Sequence, residues 1–144
     1  MLPLGKQVIL LDGGFGSELE RLGLGEAVPE LNLTHPEAVR AIHKAYAEAG
    51  ADIITANSFG LNAVKYRGSY ALADLARAAV ENARAAGKPV FFDVGPTGAL
   101  LAPVGTLTFD EAYAAFAEVA DLTRDLVDGY IVETFSDLYE LKAC

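Results

Sequence analysis

The sequence predicts an α/β fold of consecutive βα units with a parallel sheet. Three observations lead there: short apolar runs that are continuous rather than alternating, Ala-rich helical stretches between them, and a spacing of about 40 residues from one run to the next. At 144 residues the chain is long enough for one hydrophobic core. No linker or low-complexity run divides it, so residues 1–144 read as a single domain.

The first strand is expected at Val8–Leu11, a run whose continuous apolar character suits a strand covered on both faces. It leads into Asp12-Gly13-Gly14-Phe15-Gly16, with three glycines in four residues, and then into a helical stretch. The next helix is expected over 36–49, where Val39, Ile42 and Tyr46 share one face, opened by a capping box at Thr34-His35-Pro36-Glu37. A second strand follows at 52–55, a helix at 70–86 and a third strand at 89–92. The helix over 109–126 places Phe109, Ala112, Phe116 and Val119 at helical spacing, behind a second capping box from Thr108 to Glu111. A fourth strand at 129–132 precedes a helix that opens within 136–144. The segments AGADIITAN and LVDGYIVET match in pattern and position, as repeated βα units should. Both a doubly wound open sheet and a (β/α)8 barrel accept such units.

Composition narrows the function classes. With 11 Lys and Arg against 20 Asp and Glu, the net charge of −9 argues against a nucleic-acid partner, which needs clustered cations. No apolar run approaches the roughly 18 residues of a spanning helix, and the start lacks a basic segment before an apolar one, so a cytoplasmic protein with no membrane partner is expected. A single cysteine excludes an internal disulfide framework.

Polar residues follow each apolar run: Asp12, then Thr55 and Asn57, then Asp93, then Glu133 and Thr134. In parallel βα folds these C-terminal strand ends hold the site. A dinucleotide fingerprint starting at Gly14 fails at Leu19, the second strand ends in Thr55-Ala56-Asn57 where a ribose-binding acid would be needed, and no GK[ST] is present. What remains is an Asp at a strand end followed by small residues that leave backbone amides open, a pairing suited to an anionic group beside a cationic one. An amino acid carries both groups. Asp and Asn also cap turns through their own backbone, so any one of these residues alone reads more readily as a loop cap than as a ligand group. Glu133 is the exception, since Glu is poor turn chemistry and a role toward a cationic ligand suits it better. The lysines do not sit at strand ends, which argues against an imine-forming aldolase, and His35 and His43 read as surface or packing residues.

The segments DGGFGSELE, ELNLTHPEAVRAIHKAYAEAGADIITANSFG, DVGPTGALLAPVGTLTFDEAY and ETFSDLYELKA resemble, in uninterrupted order from Leu10 to Ala143, the first half of the homocysteine S-methyltransferase family. The likeness is strongest to the homocysteine-binding module of cobalamin-dependent methionine synthases. TANSFG stands here where the usual form reads TNTFG. The resemblance implies the N-terminal half of a (β/α)8 TIM barrel, so residues 1–144 would be a partial barrel domain that binds homocysteine at its C-terminal mouth. It implies that Asp12 and Glu133 hold the substrate ammonium and that the backbone of Gly13, Gly14, Phe15 and Gly16 faces its carboxylate. Asn57, Thr134 and the loop from Asp93 to Gly98 would line the same mouth. It further implies a zinc ion held by three cysteine thiolates with the homocysteine sulfur as fourth ligand, whose thiolate attacks the methyl group of a donor to give methionine; the donor is open between methylcobalamin, S-methylmethionine and a betaine, and the motif wording leans toward cobalamin as the methyl carrier. The family places those cysteines after the sixth and eighth strands, whereas this sequence reaches only the fourth, and Cys144, well into the following helix, does not substitute for them. Four strands cut from a barrel leave two open edges, so pairing with a second copy or a complementary barrel half is expected, or the chain is a piece of a longer protein. A non-catalytic, self-associating half barrel is the alternative.

Overall fold

The computed structural model describes residues 5, 8–26 and 28–144. Helix α1 (Phe15–Arg21) is followed by a 3-10 turn at Val28–Glu30, a single turn α2 (Leu31–Thr34) and α3 (Pro36–Ala49). Then come β1 (Ile54–Thr55), α4 (Leu72–Arg84), β2 (Val90–Val94), α5 (Phe109–Thr123), β3 (Gly129–Val132) and α6 (Leu138–Ala143). The three strands form one parallel sheet in the order β1-β2-β3, each new strand added on the same side as the last. The α/β class and the parallel sheet are as the sequence predicts.

The core lies between this sheet and α4. Ile54, Val90 and Phe92 point at Leu75, Ala79 and Val80 and are fully buried or nearly so. Burying each large apolar side chain is worth about 1.5–3 kcal/mol, and the alanines of α4 let the helix approach the strands closely. Because side chains alternate along a strand, Thr55, Phe91 and Asp93 face the other way. The register Phe91↔Gly129 and Asp93↔Ile131 carries that face onto β3. A Cβ at residue 129 would meet the Phe91 ring at 2.8 Å, so glycine there makes room for the aromatic side chain.

Two expectations need correction. Val8–Leu11 is not a strand: only Leu11 bridges Ile53, while the Leu10 carbonyl accepts from the amides of Asp52 at 2.7 Å and Ile53 at 3.4 Å. The Leu10 amide donates to Asp52 Oδ2 rather than to a neighbouring backbone. Val8, Leu10 and Leu11 are 66%, 54% and 52% exposed, so the run lacks the cover on both faces that its composition anticipates. The box at Thr34 is also absent. The extra turn α2 ends there, Thr34 Oγ1 donates back to the Glu30 carbonyl at 3.1 Å, and His35, whose Nδ1 lies 3.0 Å from Thr34 Oγ1, takes the N-cap position of α3 without a side-chain capping bond. Pro36 at the first helical position removes one amide that would otherwise need a partner. The second box forms in full: Glu111 N donates to Thr108 Oγ1 at 3.2 Å and Thr108 N donates to Glu111 Oε2 at 2.8 Å.

Candidate functional site

A cavity of about 810 Å3 opens at the C-terminal ends of the strands. One wall is the segment from Leu11 to Gly16, the next runs from Thr55 to Gly60, and Asp93, Ile131, Glu133 and Thr134 complete the sheet side. All nine residues singled out in the sequence, Asp12, Gly13, Gly14, Phe15, Gly16, Asn57, Asp93, Glu133 and Thr134, therefore share one cavity. Of the loop that begins at Asp93, only Asp93 itself lines it. The rest turns away: Gly95 N donates to the Phe59 carbonyl at 3.2 Å, and Thr97 is tied to Glu140 of α6.

Each polar residue is positioned by a neighbouring element. Asp12 leaves the Leu11 bridge and reaches across to β1, where Oδ2 accepts from Thr55 N at 2.8 Å and Oδ1 from Thr55 Oγ1 at 2.7 Å. Its carboxylate thus continues the pairing that the backbone does not make. Burial pushes the Asp12 pKa up while these two bonds pull it down, and burial prevails.

Asp93 is 9% exposed. Its backbone is fixed by Ser58, whose Oγ donates to Asp93 O and accepts from Asp93 N, both at 3.0 Å. Its side chain is less well satisfied, because Oδ1 is buried without a hydrogen-bond partner. Burial, then the Glu133 carboxylate, first by its charge and next by a side-chain hydrogen bond between the two carboxyls, and then Asp12, push the Asp93 pKa up to about 7. A buried carboxyl oxygen with no donor is costly, and an incoming N–H or ammonium would relieve the cost.

Glu133 is exposed, not buried as a residue closing an apolar strand suggests, and it presents its carboxylate from the rim. Thr134 next to it has φ of 61°, a left-handed conformation that a β-branched residue rarely adopts and that marks local strain. Asn57 takes the bland role. Its Nδ2 donates to the Val28 carbonyl at 2.9 Å and its own carbonyl accepts from Asn32 Nδ2 at 2.8 Å, so it ties the wall to the 3-10 turn.

Sequence reasoning missed the opposite side of the cavity. Phe59, Lys65, Tyr66 and Arg67 line it, with the Lys65 ammonium 4.6 Å from the Phe59 ring centroid. They lie in a loop beyond the strand end, where no periodicity signals an inward position. Ser58 and Glu140 were missed for the same reason, since each acts on a residue distant in the chain. Among the described residues, no group of three or more His, Cys, Asp or Glu side chains is placed to hold a metal ion, and Cys144 is exposed at the end of α6. No described helix is long and apolar enough to cross a membrane.

The comparisons with known proteins converge. A family model described as homocysteine S-methyltransferase matches residues 9–144. The chain is 29% identical over 161 residues to the methionine synthase of Mycobacterium tuberculosis and 29% over 162 residues to that of Mycobacterium leprae. Each match covers 97% of this chain but 13% of the relative. Among solved structures, the Escherichia coli homocysteine methyltransferase MmuM superposes with a TM-score of 0.81 in its metallated form and 0.84 in its oxidised form, at 26% identity. The chain spans 58% of the length of that protein.

Proposed function

The chain belongs to the homocysteine S-methyltransferase family, and from that premise we propose that its cavity binds homocysteine as the substrate-holding part of a domain that methylates the sulfur to give methionine. The observation that carries this reading is the buried Asp93 Oδ1, which lacks a donor in a cavity it shares with Asp12 and Glu133. The α-ammonium of an amino acid supplies such a donor together with a compensating charge. In this reading Asp12 and Glu133 flank the ammonium, Asp93 accepts from it, and the Gly13–Gly16 backbone faces the carboxylate. Thr55 holds the Asp12 carboxylate in place, and Ser58 fixes the backbone that carries Asp93. The sulfur end then lies toward the open side of the cavity, where a methyl donor approaches.

The strand order, with every strand added on one side, supports the N-terminal half of a (β/α)8 barrel as the architecture. Zinc, which the family resemblance calls for, would deprotonate the thiol when bound. The described residues do not fit it, so this chain is assigned the binding and orientation of the amino acid and no step through the metal. Cobalamin stands as the methyl carrier that the family resemblance implies. A second reading, a half barrel that self-associates and retains only the amino-acid pocket, is favoured by the exposed apolar residues Val8, Leu10 and Leu11 at one sheet edge and Val132 at the other. Light scattering tests it: a dimer or larger assembly is expected, and a monomer at micromolar concentration refutes it.

Calorimetric titration of the purified chain with homocysteine and with N-acetylhomocysteine tests the main reading. Binding of the first and not the second is expected. Equal binding of both, or of neither, overturns the ammonium site.

A further inference from the structure

The wall from Asp12 to Phe15 is held at three points, two of which belong to α3. Asp12 is bonded to Thr55 of β1. Two residues later the Gly14 carbonyl accepts from Ser17 Oγ at 3.1 Å and from Tyr46 OH at 3.0 Å, the latter reaching across from α3. Two donors on one carbonyl occupy both of its lone pairs and fix the plane of that peptide. One turn before Tyr46, His43 packs its ring on Phe15 with centroids 4.7 Å apart. His43 is wholly buried with neither ring nitrogen bonded, so it acts here as an apolar surface.

Between the first two anchors lies Gly13. A Cβ there would meet Cε1 and the hydroxyl of Tyr46 at 3.0 Å, so the absence of a side chain at residue 13 is matched to the ring of residue 46. Tyr46 itself packs against both the sheet core and the cluster of Leu19, Leu31, Val39 and Ile42, and it does not line the cavity. Burial, with Glu18 and Asp12 nearby, pushes its phenol pKa up, so it remains a proton donor at neutral pH.

We infer that Tyr46 is a positioning residue for the ligand: through its bond to the Gly14 carbonyl and its contact with Gly13, it sets the Asp12–Phe15 wall at the height the bound amino acid requires. This inference rests on the proposed reading of the cavity as an amino-acid site. It assigns the wall a rigidity that neither the glycines nor the seven-residue helix α1 provides, since glycine is the least restrained residue and so short a helix is marginal by itself.

The test uses Tyr46→Phe, which keeps the ring and removes only the hydroxyl, with Gly13→Ala as a second variant that pushes on the ring from the other side. Three quantities are measured on the intact chain: amide hydrogen exchange at residues 13–16, the melting temperature, and the dissociation constant for homocysteine. Faster exchange confined to that wall, with affinity about three- to tenfold weaker and the melting temperature nearly unchanged, is the expected result for Tyr46→Phe. Gly13→Ala should weaken binding in the same direction. Unchanged exchange at residues 13–16 overturns the inference whatever the ligand does. Faster exchange with unaltered affinity overturns it as well, since the wall would then loosen without consequence. If the unmutated chain does not bind homocysteine, the cavity reading fails and the positioning role falls with it, whereas binding that survives Tyr46→Phe fails the inference alone.

Discussion

Asp93 on β2 and Glu133 just past β3 stand side by side in the cavity wall, and the charge of the exposed Glu133 helps keep a proton on the buried Asp93. The two carboxyls thus divide their roles by environment. Glu133 stands at the solvent-exposed rim, while the interior group is poised near pH 7 to give up its proton when a cation arrives.

A pH-dependent affinity follows. An ammonium ligand favours ionised Asp93, so homocysteine affinity should rise about tenfold per pH unit up to about 7 and level off above it, with one proton released on binding at pH 6. Asp93→Asn should flatten the profile. Calorimetry in buffers of different ionisation enthalpy reads both effects, and a flat profile in the unmutated chain would contradict the assignment.

Stability should move the other way. The Asp93 pKa is raised in the fold from an ordinary value of 3.8 to about 7, so between those values the folded state binds more protons than the unfolded one. Stability from this group is complete below pH 4 and declines as pH rises through 7. Asp93→Asn, which cannot ionise, should therefore be more stable than the parent by on the order of 2 kcal/mol at pH 8 and nearly equal to it at pH 4. Urea unfolding at the two pH values checks this, and a destabilised variant at pH 8 would refute it.

Glu133→Gln tests the partner. Removing its charge should lower the Asp93 pKa, moving the midpoint of the affinity profile below 7. It also removes one anion from the rim, so the dissociation constant at pH 8 should rise about tenfold. A change in affinity with no movement of the midpoint would mean that the two carboxyls do not communicate.

Much of this was legible in the sequence because strand ends in a parallel βα repeat converge, so that locating the runs at 52–55, 89–92 and 129–132 also located their polar successors. Asn57, Asp93 and Glu133 were found this way, and Asp12 as the residue after Val8–Leu11. What position alone did not reveal was the state of each group: whether Asp93 would be buried with a free oxygen while Asn57 spends its amide on Val28 depends on contacts between distant segments. The Val8–Leu11 run misled because its composition speaks for cover that the described residues do not provide. Tyr46 read only as one apolar member of a helix face, and its hydroxyl gave no hint of Gly14.

The two capping boxes differ in the same instructive way, since both match the pattern and only one forms. At Thr34 the preceding turn α2 offers the Glu30 carbonyl as a competing acceptor, while Thr108 follows extended backbone with no such rival. Thr108→Ala should therefore cost about 1 kcal/mol of stability, and Thr34→Ala well under half of that. Paired denaturation curves decide it, and equal losses would show that Thr34 caps α3 after all.

Glu140 separates support of the site from contact with the ligand. Its Oε1 accepts from Thr97 N at 2.7 Å and from Thr97 Oγ1 at 2.5 Å, both within buried surroundings, so α6 secures the loop that starts at Asp93 from behind. Glu140→Ala would leave the buried Thr97 amide without an acceptor, leave the Thr97 hydroxyl only the Ala99 carbonyl at 3.4 Å, and open a small void, a loss of about 2–4 kcal/mol. Because the loop beyond Asp93 turns away from the cavity, homocysteine affinity measured below the unfolding transition should change less than threefold. A tenfold or greater loss of affinity in a variant that remains folded would mean that this loop sets the position of the Asp93 carboxyl itself, and that α6 belongs to the site.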